Sequence, residues 1–385
     1  MEIRPLDPAD IDRSFEIRSR AFGALSMTAR EGWTANARAA VEEGRSVAVY
    51  EAGLLVGRAV IQPFRQWWGG RAVPMAGVAG VVVAPEYRGR GVGTLLMQGI
   101  IERGRALGYP LSVLYPATVP VYRQQGWELA GIQSRVTIDS RLLRDLRGGT
   151  VAVREATPDD AGRMLDLMRT EYAAASTSGA REPSEAEMRE DLEDESLFCY
   201  LAPAGFVVYG WEQPDLVVYQ LVAHDLPTAR ALWAVVGSGS SVAKNVHAYL
   251  SPDDPVHLFA GETAARDVQH TRWMLRCLDV RAAVAGRGFA SGLELEVPLV
   301  VEDPRVPANC LAGRLRVNDG RGEFMVGEAE SNAVRLGPNG FAALYAGTAV
   351  QTLFASGLAS GGDDGARALV GTAFMSRPAY LLEYF

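Results

Sequence analysis

Residues Val78 to Leu96 constrain this chain more than any other stretch: Val-Ala-Gly-Val-Val-Val-Ala-Pro-Glu-Tyr-Arg-Gly-Arg-Gly-Val-Gly-Thr-Leu-Leu. The β-branched run Val81, Val82 and Val83 reads as a buried strand. Pro85 ends it, because proline cannot donate to a ladder and pushes its predecessor out of helical geometry. Arg88-Gly89-Arg90-Gly91-Val92-Gly93-Thr94 follows, and Leu95, Leu96, Met97, Ile100 and Ile101 then mark an apolar helix. A strand, a glycine-rich turn and a helix start together expose several backbone N–H groups at the positive end of a helix dipole. That is an anion site, and its arginines suit a phosphorylated ligand. The stretch lacks the Lys-Ser/Thr of a Walker loop, and its glycine spacing is not the dinucleotide fingerprint.

Arg88-x-x-Gly91-x-Gly93 after a valine-rich strand resembles motif A of the GNAT N-acetyltransferases, which grips the pyrophosphate of acetyl-CoA. Downstream, Leu111 to Tyr115 reads as a second buried strand. It leads into Pro116-Ala117-Thr118-Val119-Pro120-Val121-Tyr122-Arg123-Gln124-Gln125-Gly126-Trp127, with Tyr122 four residues before a glycine and an aromatic. This resembles the GNAT segment whose short helix carries a functional tyrosine. With both pieces in order, residues 1–147 resemble a whole catalytic GNAT fold, a mixed β-sheet flanked by helices. The resemblance implies acetyl-CoA held by Val81, Val82, Val83, Arg88, Gly89, Arg90, Gly91, Val92, Gly93, Thr94, Ala117 and Thr118.

At 385 residues the chain has room for two or three domains. Its net charge of −8 is unevenly spread: residues 1–147 carry 19 basic and 14 acidic residues, leaving 19 basic and 32 acidic in the remainder. A basic first domain suits a phosphorylated cofactor. The acidic remainder argues against a nucleic-acid partner; it fits attraction of cationic amines and an ordinary solvated surface equally well. Cys199, Cys277 and Cys310 are far apart, and His224, His247, His257 and His270 show no ligand spacing, so neither a disulfide framework nor a metal site is expected. Met1-Glu2-Ile3-Arg4-Pro5 lacks the pattern of a signal peptide, and a cytoplasmic protein is expected. The uncharged apolar run within Leu336–Gly362 reads as one core helix, not a membrane span.

An internal repeat appears at an offset of 150: Arg4, Pro8 and Asp10 recur as Arg154, Pro158 and Asp160. Strand-like segments and a helix over Pro227–Val236 follow, but the helix is led by His224-Asp225-Leu226-Pro227-Thr228, without a glycine. Residues 148–280 therefore read as a second, degenerate copy stripped of its anion cradle. From 281 to 385 short strands and helices form a third α+β domain. It ends in the apolar tail Tyr380-Leu381-Leu382-Glu383-Tyr384-Phe385, which reads as docked.

This full-length pattern resembles the Eis (enhanced intracellular survival) acetyltransferase family, so the fold class expected is α+β and α/β: tandem GNAT folds plus a sterol carrier protein-like domain. The resemblance implies a homo-hexamer, small-molecule or peptide amine acceptors, and two catalytic groups, Tyr122 and the terminal carboxylate of Phe385. A phenol of pKa ~10 facing a thiol of ~8.5 can protonate the leaving thiolate when prealigned. Tyr115 is the rival, although its place at a strand end suggests packing. Backbone N–H groups near Val83 would meet the oxyanion. A terminal carboxylate is an intrinsically weak base, strengthened by burial among Leu381, Leu382 and Tyr384. Glu383 is the alternative base and a candidate acceptor contact, as is Trp33. The other function class is a non-catalytic protein that senses acetyl-CoA or binds a lipid, and the Tyr122 segment favours the enzyme.

Overall fold

A computed structural model describes residues 1–146, 149–260 and 265–385 of the chain. The first unit opens with β1 (Glu2–Arg4), α1 (Ile11–Phe22) and α2 (Met27–Glu42), followed by β2 (Ser46–Glu51), β3 (Leu54–Trp68) and β4 (Arg71–Val83). The β2–β3 hairpin turns through Ala52 and Gly53, both at positive φ. Then come α3 (Val92–Ala106), β5 (Leu111–Leu114), α4 (Val119–Arg123), β6 (Glu128–Asp139) and α5 (Ser140–Arg144). Helix α2 was not anticipated: it buries only Ala37 and Ala40 and so carries little periodic signal.

The second unit runs through β7 (Arg154–Glu155), α6 (Ala161–Ala174), β8 (Arg181–Glu182), α7 (Glu185–Glu193), β9 (Leu197–Ala202), β10 (Gly205–Glu212) and β11 (Asp215–Ala223). It continues with α8 (Leu226–Gly237), β12 (Asn245–Leu250), α9 (Val256–Phe259) and β13 (Ala265–Cys277). The two units share one sheet, of thirteen strands among the described residues, in the order β1-β2-β3-β4-β5-β13-β6-β12-β11-β10-β9-β7, with β8 paired to β3. Strand β13 thus stands between β5 and β6, antiparallel to both, while β6 lies against β12.

The third unit begins with α10 (Val280–Gly286) and carries a separate five-stranded sheet, β16-β15-β14-β17-β18. Its strands are β14 (Leu295–Val301), β15 (Leu311–Asn318), β16 (Arg321–Val326), β17 (Val334–Leu336) and β18 (Ala359–Gly361). The single core helix expected between Leu336 and Gly362 is in fact two, α11 (Pro338–Tyr345) and α12 (Val350–Ala355). The break falls at Gly347, whose φ of +92° ends the first helix as only glycine readily does. No helix among the described residues is long and apolar enough to cross a membrane. Capped by Asp363, which accepts from the Ala366 N–H at 2.7 Å, α13 (Asp364–Phe374) closes the unit.

The tip of the β3–β4 hairpin joins all three units. Trp68 meets Trp273 of β13 and Tyr345 of α11 edge-to-face, with ring centroids 6.2 and 5.1 Å apart. From α13 the chain returns between the first two units. Tyr380 bridges Ile132, Leu381 N–H donates to the Ile132 carbonyl at 3.1 Å, and Tyr380 N–H donates to the Ser178 carbonyl at 3.1 Å. Glycines make this passage: a Cβ on Gly131 or Gly179 would stand 2.5 Å from the tail backbone.

Candidate active site

Strands β4 and β5 pair in parallel only from Met75–Leu111 to Gly77–Val113, and beyond Gly77 they part. Gly80, at φ +56°, marks a bulge where the β3–β4 register shifts between Arg58 and Val60. Alongside the split lies a cleft of about 570 Å³ lined by Val81, Val82, Val83, Arg88, Gly89, Gly91, Val92, Gly93, Thr94, Ala117, Thr118 and Tyr122. All of these were expected from the sequence to hold acetyl-CoA or to act on it. Arg90 stands outside this lining: it pairs with Glu51 at 2.9 Å and lies over the Tyr87 ring.

The anion cradle has a simple local cause. Gly91 caps α3 in the left-handed conformation, with φ +83°, and has no side chain to take up the helix's first N–H groups. Nothing approaches the Cβ positions of Gly89, Gly91 or Gly93 within 4 Å, so the turn faces open space. The corresponding helix of the second unit, α8, is different. Asp225 caps it and accepts from the Thr228 N–H at 2.7 Å, a bond that holds the carboxyl below the usual range. A fixed negative charge thus occupies the position where a phosphate would sit.

Ala21, Phe22, Tyr87 and Val121 also line the cleft and were not anticipated. Phe22 in particular reads from sequence as one of the apolar positions of α1, yet it is 57% exposed and faces the cleft. Its place at the C-terminal end of α1, followed by Gly23 at positive φ, was the available signal.

Tyr122 occupies the fourth position of α4 and is 8% exposed. Burial, and the nearby Tyr384, raise its pKa above the usual phenol range, so the hydroxyl is held as a donor. The third unit buttresses this segment. Asn339 donates to the carbonyls of Arg123 and Trp127 at 3.0 and 2.9 Å, and Asp303 pairs at 2.7 Å with Arg276 of β13, which packs beneath Gly126.

The tail converges on the same place. The Phe385 ring meets Phe64 and Tyr115 edge-on, with centroids 5.1 and 5.5 Å away, and a Cβ at Gly77 would touch it at 3.0 Å. Phe385 therefore sits over β4 at the residue where β4 and β5 part. Tyr115 holds the tail: its hydroxyl donates to the Glu383 carbonyl at 2.8 Å and its ring stacks on Tyr384 at 4.3 Å. Gln133 donates to the Leu382 carbonyl at 2.8 Å. The Glu383 side chain turns inward, its Oε2 sealed from solvent and without a hydrogen-bond partner among the described residues. Burial raises its pKa, opposed first by Arg181. Trp33 lies on α2 against Phe15 and beneath Arg58 and is not among the cleft-lining residues.

The acetyltransferase (GNAT) domain family matches residues 2–130 and, in a second form, residues 179–277, and the sterol carrier protein domain family matches residues 280–382. The chain is 30% identical to an uncharacterised N-acetyltransferase of Streptomyces coelicolor over 83% of each protein. It is 28% identical to the N-acetyltransferase Eis of Mycobacterium tuberculosis, over 69% of this chain and 70% of that one. The crystal structure of a GCN5-related N-acetyltransferase from Kribbella flavida matches with a TM-score of 0.97 and 48% identity, covering 100% of this chain and 98% of that one. Two acetyltransferase folds, one with an open cradle and one capped, followed by a sterol carrier protein domain make this chain an acetyltransferase of the Eis-type GNAT family.

Proposed function

We propose that the chain transfers acetyl from acetyl-CoA to an amine of a cationic acceptor: an aminoglycoside, a polyamine or a lysine side chain. The observation that carries this reading is the seat of Phe385 over Gly77, which brings the chain's last residue to the split beside the Tyr122 cleft. In this reading the open α3 N-terminus and Arg88 hold the pyrophosphate, and β4 beyond Gly77 pairs with the pantetheine amides as an added strand would. The amine nitrogen attacks the thioester carbonyl, the oxyanion is met by N–H groups near Val83, and the C–S bond breaks as Tyr122 protonates the thiolate. The amine's proton passes to the Phe385 carboxylate. Such a group has a pKa of only ~3.3–3.7 in water and gains basicity when partly desolvated. In the same reading Glu383, whose inward-turned Oε2 has no hydrogen-bond partner among the described residues, receives the acceptor's ammonium. A cytoplasmic homo-hexamer belongs to the same proposal.

The reading outranks a lipid carrier because the third unit's interior is filled. Arg287, Phe341, Tyr345 and Phe374 are fully buried there, with the guanidinium donating to the Phe374 carbonyl at 3.2 Å and to the Tyr345 carbonyl. The test is thiol release from acetyl-CoA with a polyamine panel, comparing the native terminus with an amidated one. Amidation removes the charge and keeps the Phe385 anchor. Turnover at saturating amine should fall nearly as far as when Phe385 is deleted; equal rates for the native and amidated forms would end the base assignment.

A further inference from the structure

The second unit parts its strands as the first does. Parallel pairing of β11 with β12 runs only from Leu216–Val246 to Val218–Ala248, and the strands then separate. The split opens on a cavity of about 90 Å³, several times what a single water requires. It is bounded by the same elements as the first cleft: the end of the diverging strand, the following helix, and the short helix after the next strand. At the fourth position of that short helix, where α4 has Tyr122, α9 has Phe259. With Asp225 closing the helix N-terminus and no hydroxyl at this position, the cavity retains neither the phosphate cradle nor the proton donor.

What it has gained is of the opposite charge. Glu171 and Asp254 border it, and among the described residues neither has an ion-pair partner within 4.0 Å. One Asp254 oxygen accepts from the Val256 N–H at 2.9 Å. Burial raises the pKa of both carboxyls, outweighing the opposing pull of His224 and Arg377 on Glu171 and of the Val256 N–H, His257 and Arg377 on Asp254. The charged neighbours are Arg377, which is engaged by Asp253 at 2.8 Å and by the Ala175 carbonyl at 3.3 Å, His224 near Glu171, and His257 near Asp254. Arg377 itself borders the cavity, and the remaining wall combines the rings of Tyr172, Trp233, Phe259 and Tyr380 with Thr177, Ser251 and apolar side chains.

We infer that this cavity is a second, non-catalytic site that binds a small organic ammonium ion. Two carboxylates supply the counter-charge, and aromatic faces attract a desolvated ammonium. With two carboxylates and four aromatic rings on its wall, the cavity suits an alkylammonium better than a hard metal ion, which takes six or more oxygen ligands. Tyr380 borders the site and begins the segment that ends at Phe385, so an occupant sits at the root of the tail.

The experiment is saturation-transfer NMR on the full-length protein, with ethylammonium as probe and ethanol and acetate as neutral and anionic probes of like size. Ethylammonium should bind, and ethanol and acetate should not. Glu171→Gln with Asp254→Asn keeps shape and hydrogen bonding and should weaken ethylammonium binding about tenfold or more while acetyl transfer continues. Ala229→Leu, which fills the cavity from α8 without touching either charge, should do the same and serves if the double variant does not fold. Unchanged ethylammonium binding in these variants, equal binding of all three probes, or no ethylammonium signal in the native protein overturns the inference. Amidating the terminus should abolish turnover and leave this signal intact, which separates the failure of one proposal from the failure of the other.

Discussion

The two acetyltransferase folds of this chain differ most where they should be most alike, at the N-terminus of the helix that follows the diverging strand. In the first, Gly91 leaves the helix uncapped and its N–H groups free for an anion. In the second, Asp225 satisfies the Thr228 N–H internally and brings its own negative charge. A side-chain cap stabilises a helix by about 1 kcal/mol. The first unit forgoes that stabilisation and keeps a binding site; the second has the stabilisation and no phosphate site. The difference lies in a few residues at one helix end, while the strand split and a cavity are common to both units.

The largest test of this contrast is Gly91→Asp. It places a carboxylate in the cradle at a position of positive φ, and acetyl-CoA affinity should fall at least about a hundredfold by calorimetry, from one site per chain to none detectable. Asp225→Gly in the second unit should leave the stoichiometry at one. A stoichiometry of two in the native protein, or undiminished binding by Gly91→Asp, breaks the comparison. Next in size is the pair Tyr122→Phe and Phe259→Tyr. The first should lower turnover by ~10²–10⁴-fold with acetyl-CoA affinity nearly intact, as expected for loss of a positioned acid. The second should leave turnover unchanged, since the hydroxyl would face a cavity without a cofactor.

A smaller effect separates recognition from stability at Glu383. Its carboxyl has a raised pKa in the folded chain, so the folded state binds more protons than the unfolded one between the ordinary and the raised value. Stability is therefore lost as pH rises through that window. Glu383→Gln should raise Tm at neutral pH, by about 2–4 °C for each kcal/mol relieved. The same variant should raise KM for a cationic acceptor about tenfold and flatten the increase in KM expected of the native enzyme on acidification. Unaltered KM with a raised Tm would make Glu383 a purely structural strain.

Much of this was legible in the sequence because it is local. Arg88 to Thr94, Tyr122 and the glycine-free leader of α8 state their chemistry in a few consecutive residues, and the structure places all of the first two but Arg90 along one cleft. What was not legible depends on pairing between distant segments. Nothing in Ala265–Cys277 announces that it will lie beside Leu111–Leu114 instead of completing its own unit. The break at Gly347 was hidden inside an apolar run, where the need for a left-handed residue is invisible until Ser376 packs against it. Arg90 looks from spacing like a phosphate ligand, but Glu51, on the β2–β3 hairpin, is close enough to take it.

The placing of β13 between β5 and β6 has a consequence in time. A ribosome has made every residue of the first fold's helices and of β6 well before it reaches Cys277, yet the central sheet stays open at β5 until that strand arrives. At ~5–20 residues per second this wait is on the order of ten seconds. The cleft is then still without Glu383 to Phe385, which lie about a hundred residues beyond Cys277. A nascent chain of this enzyme thus carries its Arg88–Thr94 turn long before the tail that docks beside β4. A product truncated before Tyr380, however well folded its first half, would lack the segment that pairs with Ile132 and Ser178.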